Sequence, residues 1–512
     1  MNMKKIQYIF ILTLAIIVSS CNDWLDIIPK NEQATPEYWQ TKEDVEAVLT
    51  SGYYYMRECT PYYIDWGELR AGSVSLYILT NNDKDKLRRF SLTSNQKICQ
   101  WSTFYQVINM ANSVIDNAGG VVSKDPTYTE AAMNSHKTEA YFMRALTYFY
   151  LVRNFKEVPL ILTAYVDDST PYDYSKSSEE VIIEQIKKDI TDALATGAAK
   201  EVYDQVWENK GRATKWALYA LMADVCLWSE DYEGCVTYAD YLINASAPIK
   251  PVFISDPTKW FEIFYPGNSN ESIFELNWDQ ASYQETSKSP SLYFGTTITS
   301  TYCFGDEMTL RLFDETIQAG IVNSVRSYFG AYVGTVSGIP SEKEGLVWKY
   351  TGTGYRDLAA VRVNADGNYI IYRMADVMLM KAEALIQQGE AHWGDALEII
   401  NAIRTRSNLR VVDIDLSDET ELSMLELVLN ERDMELAAEG KRWYDLMRFG
   451  KSKNYKYKKE FIEYVVLNNG YSQPQWIRSV LENPYAWYLP INEEEMKTNK
   501  LLEQNPYYKE TK

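Results

Sequence analysis

An arginine on an apolar helical stripe is the strongest constraint that this sequence places on its fold. Between Leu422 and Met447, apolar or small residues recur at steps of three and four, the period of one helix face packed against a partner. Arg432 falls on that stripe, where a guanidinium requires a carboxylate partner. The nearest candidates are Glu431, Glu435, Glu439 and Asp445. We therefore predict a buried ion-pair network along this helix.

The same stripe contains Gly440, just before Arg442 and Trp443. A glycine lets another backbone approach closely, or lets the helix bend. A charged helix of this kind fits either an active site or a structural network. We favour the structural interpretation, because ion-pair networks outnumber catalytic clusters.

The charge balance limits the partners of the chain. Its 512 residues carry a formal charge of −20, with 71 acidic against 51 basic side chains. Such a surface repels nucleic acid, so we expect neutral, cationic or protein partners. Tyrosine and tryptophan are abundant, at 40 and 14 residues, and both suit amphipathic ligand recognition when they are exposed.

The first residues have the pattern of a lipoprotein leader. Lys4 and Lys5 precede an apolar run over 6–18 that is too short to span a bilayer. Ser19 and Ser20 then lead to Cys21, as in a lipobox. We predict that 1–20 is a signal peptide and that Cys21 carries the acyl chains of the mature protein.

Two helical hairpins are visible in the apolar pattern. Ala223 and Cys235 lie twelve residues apart on either side of a turn, and Ala384 and Ala396 repeat that spacing around Gly389. Small residues at such positions let paired helices pack closely, as in tetratricopeptide repeats. We predict a mainly α fold, a tetratricopeptide-like hairpin scaffold with long irregular loops and little β structure.

The segment over 430–450, NERDMELAAEGKRWYDLMRFG, resembles the characteristic helix of the SusD/RagB family, surface lipoproteins of the Bacteroidetes that bind glycans. The residues that fit the pattern are Glu431, Arg432, Glu435, Leu436, Glu439, Gly440, Arg442, Trp443, Asp445, Leu446, Arg448 and Gly450. The Val-Pro-Leu exit at 158–160 and the C-terminal segment from Trp487 are similar to the family as well. The resemblance predicts one SusD-like domain over 21–512, with a loop-rich insertion at about 248–368.

The family resemblance also implies the function. SusD-like proteins lie over a SusC-like TonB-dependent transporter and deliver oligosaccharide to it. We therefore expect a binding protein at the cell surface, anchored in the outer membrane by lipid, without enzymatic activity or a cofactor. Two alternatives stay open: peptide binding, as in RagB-like members, and a surface glycoside hydrolase.

Few residues support catalysis or metal binding. His136 and His392 lie in helical segments without a neighbouring nucleophile motif. Glu262 and Glu271, or the acidic run over 493–495, could serve a glycosidase, but with 71 acids such pairs arise by chance. No CxxC pair or Cys/His cluster is present, so we expect no metal. A disulfide between cysteines 59 and 99 is left open.

The 59–100 segment is polar and aromatic together and lacks a helical period, so we expect a binding loop there. Two stretches of this character are the candidates for the ligand site, 62–101 and 283–302. The predicted ligand-binding residues are the stacking planes Trp66 and Trp101, the walls Tyr283 and Tyr302, and the hydroxyl partners Asp65 and Arg70. The competing interpretation of Trp101 is a core residue that caps the following helix.

The lipid anchor gives the first testable prediction. Replacement Cys21→Ala removes the acylated side chain, so the variant is expected to leave the membrane fraction. Cell fractionation with metabolic palmitate labelling measures this, with Cys303→Ala as the control cysteine. An unlabelled variant that stays in the membrane fraction would show that the anchor is elsewhere.

Overall fold

The computed structural model describes residues 38–165, 173–284, 286–294, 301–318, 324–328, 330–336, 339–342, 345–354 and 359–509. The predicted leader and Cys21 lie outside these ranges, and so does the side chain of Tyr283.

Helices make up most of the described chain. The helices of the N-terminal half are α1 (Lys42–Glu58), α2 (Thr60–Glu68), α3 (Asp83–Arg88), α4 (Ser102–Val121), α5 (Glu130–Phe155), α6 (Glu179–Ala195), α7 (Glu208–Gly211), α8 (Lys215–Trp228) and α9 (Tyr232–Ile243). The later helices are α10 (Gln280–Tyr283), α11 (Asp306–Gln318), α12 (Met374–Gln388), α13 (Trp393–Arg406), α14 (Glu421–Glu435), α15 (Arg442–Tyr455), α16 (Lys458–Asn469), α17 (Pro474–Leu481) and α18 (Glu493–Thr498). Short 3₁₀ turns lie at Lys97–Cys99, Pro257–Ile263, Pro290–Leu292, Glu390–His392, Leu416–Asp418, Pro484–Trp487 and Pro506–Tyr508.

The β structure consists of short antiparallel pairs. The strands are β1 (Val74–Leu76), β2 (Val158–Pro159), β3 (Lys176–Ser177), β4 (Ser272–Leu276), β5 (Tyr302–Phe304), β6 (Tyr332–Val333), β7 (Thr335–Val336), β8 (Ile339–Pro340), β9 (Leu346–Val347) and β10 (Tyr369–Arg373). In the described chain β1 pairs with β5, β2 with β3, β4 with β10, β6 with β9, and β7 with β8. The prediction of a mainly α fold with little β structure is confirmed.

The predicted hairpins form the scaffold. Helix α8 packs on α9, α9 on α12, and α12 on α13, so the two hairpins stack against each other. Ala223, Cys235, Ala384 and Ala396 are fully buried at the helix contacts. Their small side chains allow the close approach that the twelve-residue spacing predicted. The exact domain boundaries stay a prediction.

Helix α1 carries one edge of the loop-rich side of the molecule. It begins with a capping box. The Asp44 N–H donates to the Thr41 hydroxyl, and the Thr41 N–H donates to the Asp44 carboxylate. Val45, Leu49 and Met56 bury one face, which packs on α4. The opposite face stays open at the C-terminal end of the helix.

The expectation of a loop over 59–100 is wrong for its first part. Residues Thr60–Glu68 form helix α2, with Pro61 in the first turn, where a proline fits a helix. The helix is buried on nearly all sides, including Tyr63 and Trp66. An all-round buried helix shows no alternation of polar and apolar residues, so the sequence period was absent.

The helical stripe is interrupted where Gly440 lies. Helix α14 ends at Glu435 and α15 begins at Arg442, with Gly440 at φ +74° between them. A Cβ built on Gly67 of α2 would lie 2.2 Å from the Gly440 oxygen, so the two backbones touch. The Glu68 carboxylate accepts from the Gly440 N–H at 2.6 Å and the Lys441 N–H at 3.1 Å. Burial raises the pKa of Glu68 to about 8.

The predicted ion-pair network is present, with partners from beyond the helix. Arg432 contacts Asp445 at 2.9 Å, as the stripe suggested, and also Asp376 of α12 at 3.0 Å. Burial opposes ionisation of Asp376, but Lys441 and Arg432 outweigh it and lower the pKa of Asp376 to about 2. The prediction of a buried ion-pair network along this helix is therefore confirmed.

Two further sequence questions are answered in the described chain. None of its helices combines the length and the apolar character needed to cross a bilayer. Its cysteines are free thiols, so the 59–99 disulfide that the sequence left open is not formed.

Helix α14 gives a stability prediction with a defined pH dependence. Replacement Arg432→Ala leaves Asp376 and Asp445 buried with fewer cations, and we expect a loss of about 3 to 5 kcal/mol of unfolding free energy at pH 7. The folded pKa of Asp376 is depressed, so its contribution is complete above pH 4 and is lost as the pH falls towards about 2.

Urea unfolding at pH 7 and pH 3 measures this loss, which should be smaller at the lower pH. Arg410→Ala is the matched control, because Arg410 is exposed and contacts no carboxylate within the described part of the chain. An equal loss in both variants would contradict the assignment.

Candidate functional site

All five described residues of the set predicted from the sequence are buried, including Asp65 at 3 % exposed and Tyr302 at 0 %. Trp66 is fully buried; its indole N–H donates to the Ile98 oxygen at 2.9 Å, and its ring stacks on Phe104 at 4.9 Å between centroids. Trp101 is 3 % exposed and precedes α4 as its N-cap residue, in agreement with the competing core interpretation. The expectation that these two rings are exposed is wrong.

Arg70 is also buried, and burial lowers the pKa of Arg70 to about 10. Its guanidinium donates to the Trp487 oxygen at 2.7 Å and to the Asn154 side chain at 3.0 Å. It lies 4.2 Å from the centre of the Trp443 ring, a cation–π contact. The Arg70 guanidinium thus links the end of α2 to the C-terminal part of the chain through these contacts.

The other two described residues of the predicted set meet each other. The Tyr302 hydroxyl donates to Asp65 at 2.6 Å, and the Lys84 ammonium lies 2.5 Å from both groups. Burial, together with the Asp65 carboxylate, holds the pKa of Tyr302 well above its ordinary value. The two sequence stretches therefore converge, as expected, and Lys84 joins them.

Pairing of β1 with β5 produces this convergence. Leu76 lies opposite Tyr302, and the Tyr77 N–H donates to the Thr301 oxygen at 3.1 Å. The Thr301 N–H in turn donates to Tyr293 at 3.0 Å. Tyr293 is partly buried, with Lys84 at 5.9 Å from its ring centre. An accessible aromatic ring thus stands beside the cation.

A second aromatic group lies at the C-terminal end of α1. The Arg57 guanidinium lies 5.6 Å from the centre of the Trp278 ring and 6.0 Å from that of Tyr54. It donates from Nη1 to the Asn277 oxygen at 3.1 Å. Tyr54 is 47 % exposed, whereas Trp278 is almost covered and donates its indole N–H to Ser287 at 2.8 Å.

The two groups are neighbours. Glu58 follows Arg57 on α1, and burial, then the carboxylates of Asp65 and Glu58, raise the pKa of Tyr293. The Glu58 carboxylate, next to Arg57 on the helix, therefore acts electrostatically on the ring beside Lys84. We call the combined surface the α1-end face, formed by Tyr54, Arg57, Lys84, Trp278 and Tyr293.

The sequence offered weak signals for this face. Tyr54 and Arg57 lie in a regular amphipathic helix and stand out only through the basic residue in its last turn. Lys84 follows Asn82, which caps α3 by accepting from the Asp85 N–H. Trp278 follows the apolar run that forms β4. Each residue is ordinary alone, and only the tertiary fold brings them together.

Three concave regions lined by described residues have no Trp or Tyr in their lining. A groove of about 560 Å³ between α9, α12 and α13 is lined mainly by aliphatic and charged side chains. A second, of about 540 Å³, follows residues 252–270 and has Phe253 as its aromatic residue. A third, of about 330 Å³, lies beside His136 and Arg212. The α1-end face is therefore the better candidate for ligand recognition by ring stacking.

The carboxylates considered for hydrolysis are not placed as a catalytic pair. Glu271 is fully buried and contacts Arg373 at 2.9 Å and Arg406 at 3.1 Å. Glu262 is exposed at the edge of a groove. His136 is buried against the Tyr128 hydroxyl at 3.0 Å. Within the described ranges, no group of three or more His, Cys, Asp or Glu side chains could hold a metal ion.

Comparison with known proteins gives consistent results along the chain. Residues 349–508 match the model of the SusD family, and residues 23–227 match a model described as starch-binding associating with outer membrane. A SusD-like protein of Formosa agariphila, P38, is 27 % identical, covering 94 % of this chain and 98 % of its own length. A SusD-like protein of Bacteroides ovatus is 24 % identical over 86 % of this chain and 82 % of its own.

Solved structures share the fold. A SusD superfamily protein from Bacteroides vulgatus has a TM-score of 0.73 at 22 % identity, covering 92 % of this chain and all of that one. A laminarin-binding SusD-like protein has a TM-score of 0.67 at 20 % identity, covering 91 % of this chain and all of that one. The family models and the related sequences agree with the helix pattern over 430–450, and the chain belongs to the SusD/RagB family.

Proposed function

We propose that this protein is a lipid-anchored binding protein of the outer membrane, which captures an oligosaccharide or polysaccharide at the α1-end face and delivers it to a SusC-like TonB-dependent transporter. The observation that carries the proposal is the grouping of accessible tyrosine rings with Arg57 and Lys84 at one end of α1. Membership of a family with a starch-binding model and a laminarin-binding structural neighbour supports it.

The chemistry of the face suits a sugar. A pyranose ring has an apolar C–H side, which packs on an aromatic plane, and a rim of hydroxyl groups, which needs hydrogen-bonding partners. Tyr54 and Tyr293 supply the planes. Arg57 supplies donors, and Glu58 supplies acceptors. A broad surface of this kind also accommodates a long chain better than an enclosed pocket would.

The predicted residues Asp65 and Tyr302 act as positioning residues in this proposal. Both hold Lys84 through short hydrogen bonds, and Lys84 lies beneath the Tyr293 side of the face. The sequence also predicted ligand binding by Trp66, Trp101, Arg70 and Tyr283, which is untested, and the proposed face does not include these residues.

The alternatives differ in what they require. A peptide ligand would need a sheet edge, a groove or a row of side-chain pockets, and the α1-end face has rings instead. A hydrolase would need two accessible carboxylates at fixed separation, whereas Glu271 is enclosed by arginines. We therefore place glycan binding without catalysis first, and peptide binding second.

Ring stacking at the face is directly testable. Tyr54→Ala and Tyr293→Ala should each weaken glycan binding by about 1 to 3 kcal/mol, because each removes a stacking plane. Affinity electrophoresis against a polysaccharide panel identifies a ligand, and calorimetric titration then measures the loss. Tyr241→Ala is the matched control, since Tyr241 is 50 % exposed on the scaffold helix α9. Wild-type affinity in both face variants would place the site elsewhere.

Trp66 gives a second, contrasting prediction. Its burial means that Trp66→Ala opens a cavity, and we expect a loss of about 3 to 5 kcal/mol of unfolding free energy. Affinity of the folded fraction should stay unchanged. Urea unfolding and titration of the same preparation separate the two effects, with the 42 % exposed Trp476 changed to alanine as the control. If Trp66→Ala lowered the affinity without lowering the stability, Trp66 would belong to the binding site.

A further inference from the structure

The charged groups of the α1-end face differ in how many of their hydrogen-bond donors are used. Lys84 is held by Asp65 and Tyr302, so its charge is neutralised and its position fixed. Arg57 has no carboxylate within 4.0 Å in the described part of the chain. This is unusual in a protein with 71 acidic residues, where most described arginines form ion pairs.

The surroundings of Arg57 hold its guanidinium in one orientation. Nη1 donates to the Asn277 oxygen, and the rings of Tyr54 and Trp278 lie on its sides. That acceptor is the main-chain oxygen of Asn277, and the side chain of the same residue is also held, because it accepts from the Asn368 side chain at 2.7 Å and donates to the Trp207 oxygen at 3.2 Å. The guanidinium is thus presented on a rigid support.

One edge of this guanidinium has no acceptor. Nε is buried and makes no hydrogen bond, and Nη2 makes none to any described residue while remaining open to solvent. A buried N–H without a partner is costly in a folded protein. An acceptor that arrives from outside can reach Nη2, whose edge the buried Nε shares.

The neighbouring carboxylates do not supply the acceptor that this edge of the guanidinium lacks. Glu58 is the next residue on α1 and lies towards Tyr293, whose pKa it helps to raise. Asp279 follows Trp278, but its carboxylate accepts from the Ser282 N–H at 2.8 Å and caps α10. The guanidinium therefore keeps its donors for a group that the described chain does not supply.

We propose that the glycan bound at this face is anionic, and that Arg57 recognises a carboxylate or sulfate group on it. The inference rests on the proposed function and deepens it by naming the class of glycan. A charged oxygen of a carboxylate or sulfate forms a stronger, charge-assisted hydrogen bond with the open Nη2 donor than a neutral hydroxyl does. The Tyr54 ring beside Arg57 then stacks on the sugar that carries the acidic group.

The experiment compares glycans that share a backbone and differ in charge. Polygalacturonate is paired with its fully methyl-esterified form for the carboxylate arm, and carrageenan with desulfated carrageenan for the sulfate arm. Affinity electrophoresis and calorimetric titration, at low and at moderate salt, are carried out on the wild type, Arg57→Gln, Arg57→Lys and the control Arg410→Gln. Melting temperatures establish that every variant is folded.

The wild type should bind the charged member of one pair about tenfold more tightly than its neutral counterpart. Arg57→Gln should remove this preference and leave binding of the neutral member unchanged. Arg57→Lys, which keeps the charge but lacks the planar fork, should retain part of it. Arg410→Gln should behave as the wild type. The preference should weaken as salt is raised, because the recognised group is charged.

Two different outcomes would overturn different statements. Binding of a neutral glycan with no preference in either arm, or an unchanged preference in Arg57→Gln, would refute the anionic ligand and leave the glycan proposal standing. Absence of binding to every glycan, charged and neutral, would refute the proposed function and the inference with it.

Discussion

The fold depends on a buried carboxylate that meets three arginines. Glu435, at the end of α14, contacts Arg373 at 2.7 Å and Arg326 at 3.3 Å, and Arg406 lies against the same group. Burial opposes ionisation of Glu435, but the three guanidinium groups outweigh it and hold its pKa well below the ordinary value. Because each arginine comes from a different segment, a single removed partner would leave buried charge uncompensated. The network therefore specifies how these segments meet.

The same network positions the candidate site. Arg373 ends β10 and also contacts Glu271, the residue before β4, so that both paired strands are held at one end. Strand β4 runs to Leu276, and the next two residues are Asn277 and Trp278, which support Arg57. Strand β4 and the two residues after it thus connect the buried ion pairs to the α1-end face. Ligand-binding loops are positioned more precisely when rigid strands and ion pairs anchor them.

The sequence predicted the scaffold better than the site, for a physical reason. Helix packing leaves a local record, namely the small residues at 223, 235, 384 and 396 and the arginine on an apolar stripe, and these predictions are confirmed. Asp376, the second partner of Arg432, leaves no such record because it lies in another helix. The local sequence pattern does not show whether an aromatic ring is exposed either. Trp66, in the core, and Tyr54, on the surface, therefore look equally suited to stacking. The convergence of Asp65 with Tyr302 followed from composition alone.

The family matches and most aromatic residues near the proposed face lie in different parts of the chain. The family models match 23–227 and 349–508, and the helix that carries the network lies in the second range. Trp278, Tyr293 and Tyr302 lie between the two matched ranges. Arg57 and Lys84, on matched helices, therefore face aromatic residues from a segment that neither model describes. Buried ion pairs can hold the scaffold in place while loop residues of that segment vary, so chains of this fold can present different rings to a ligand.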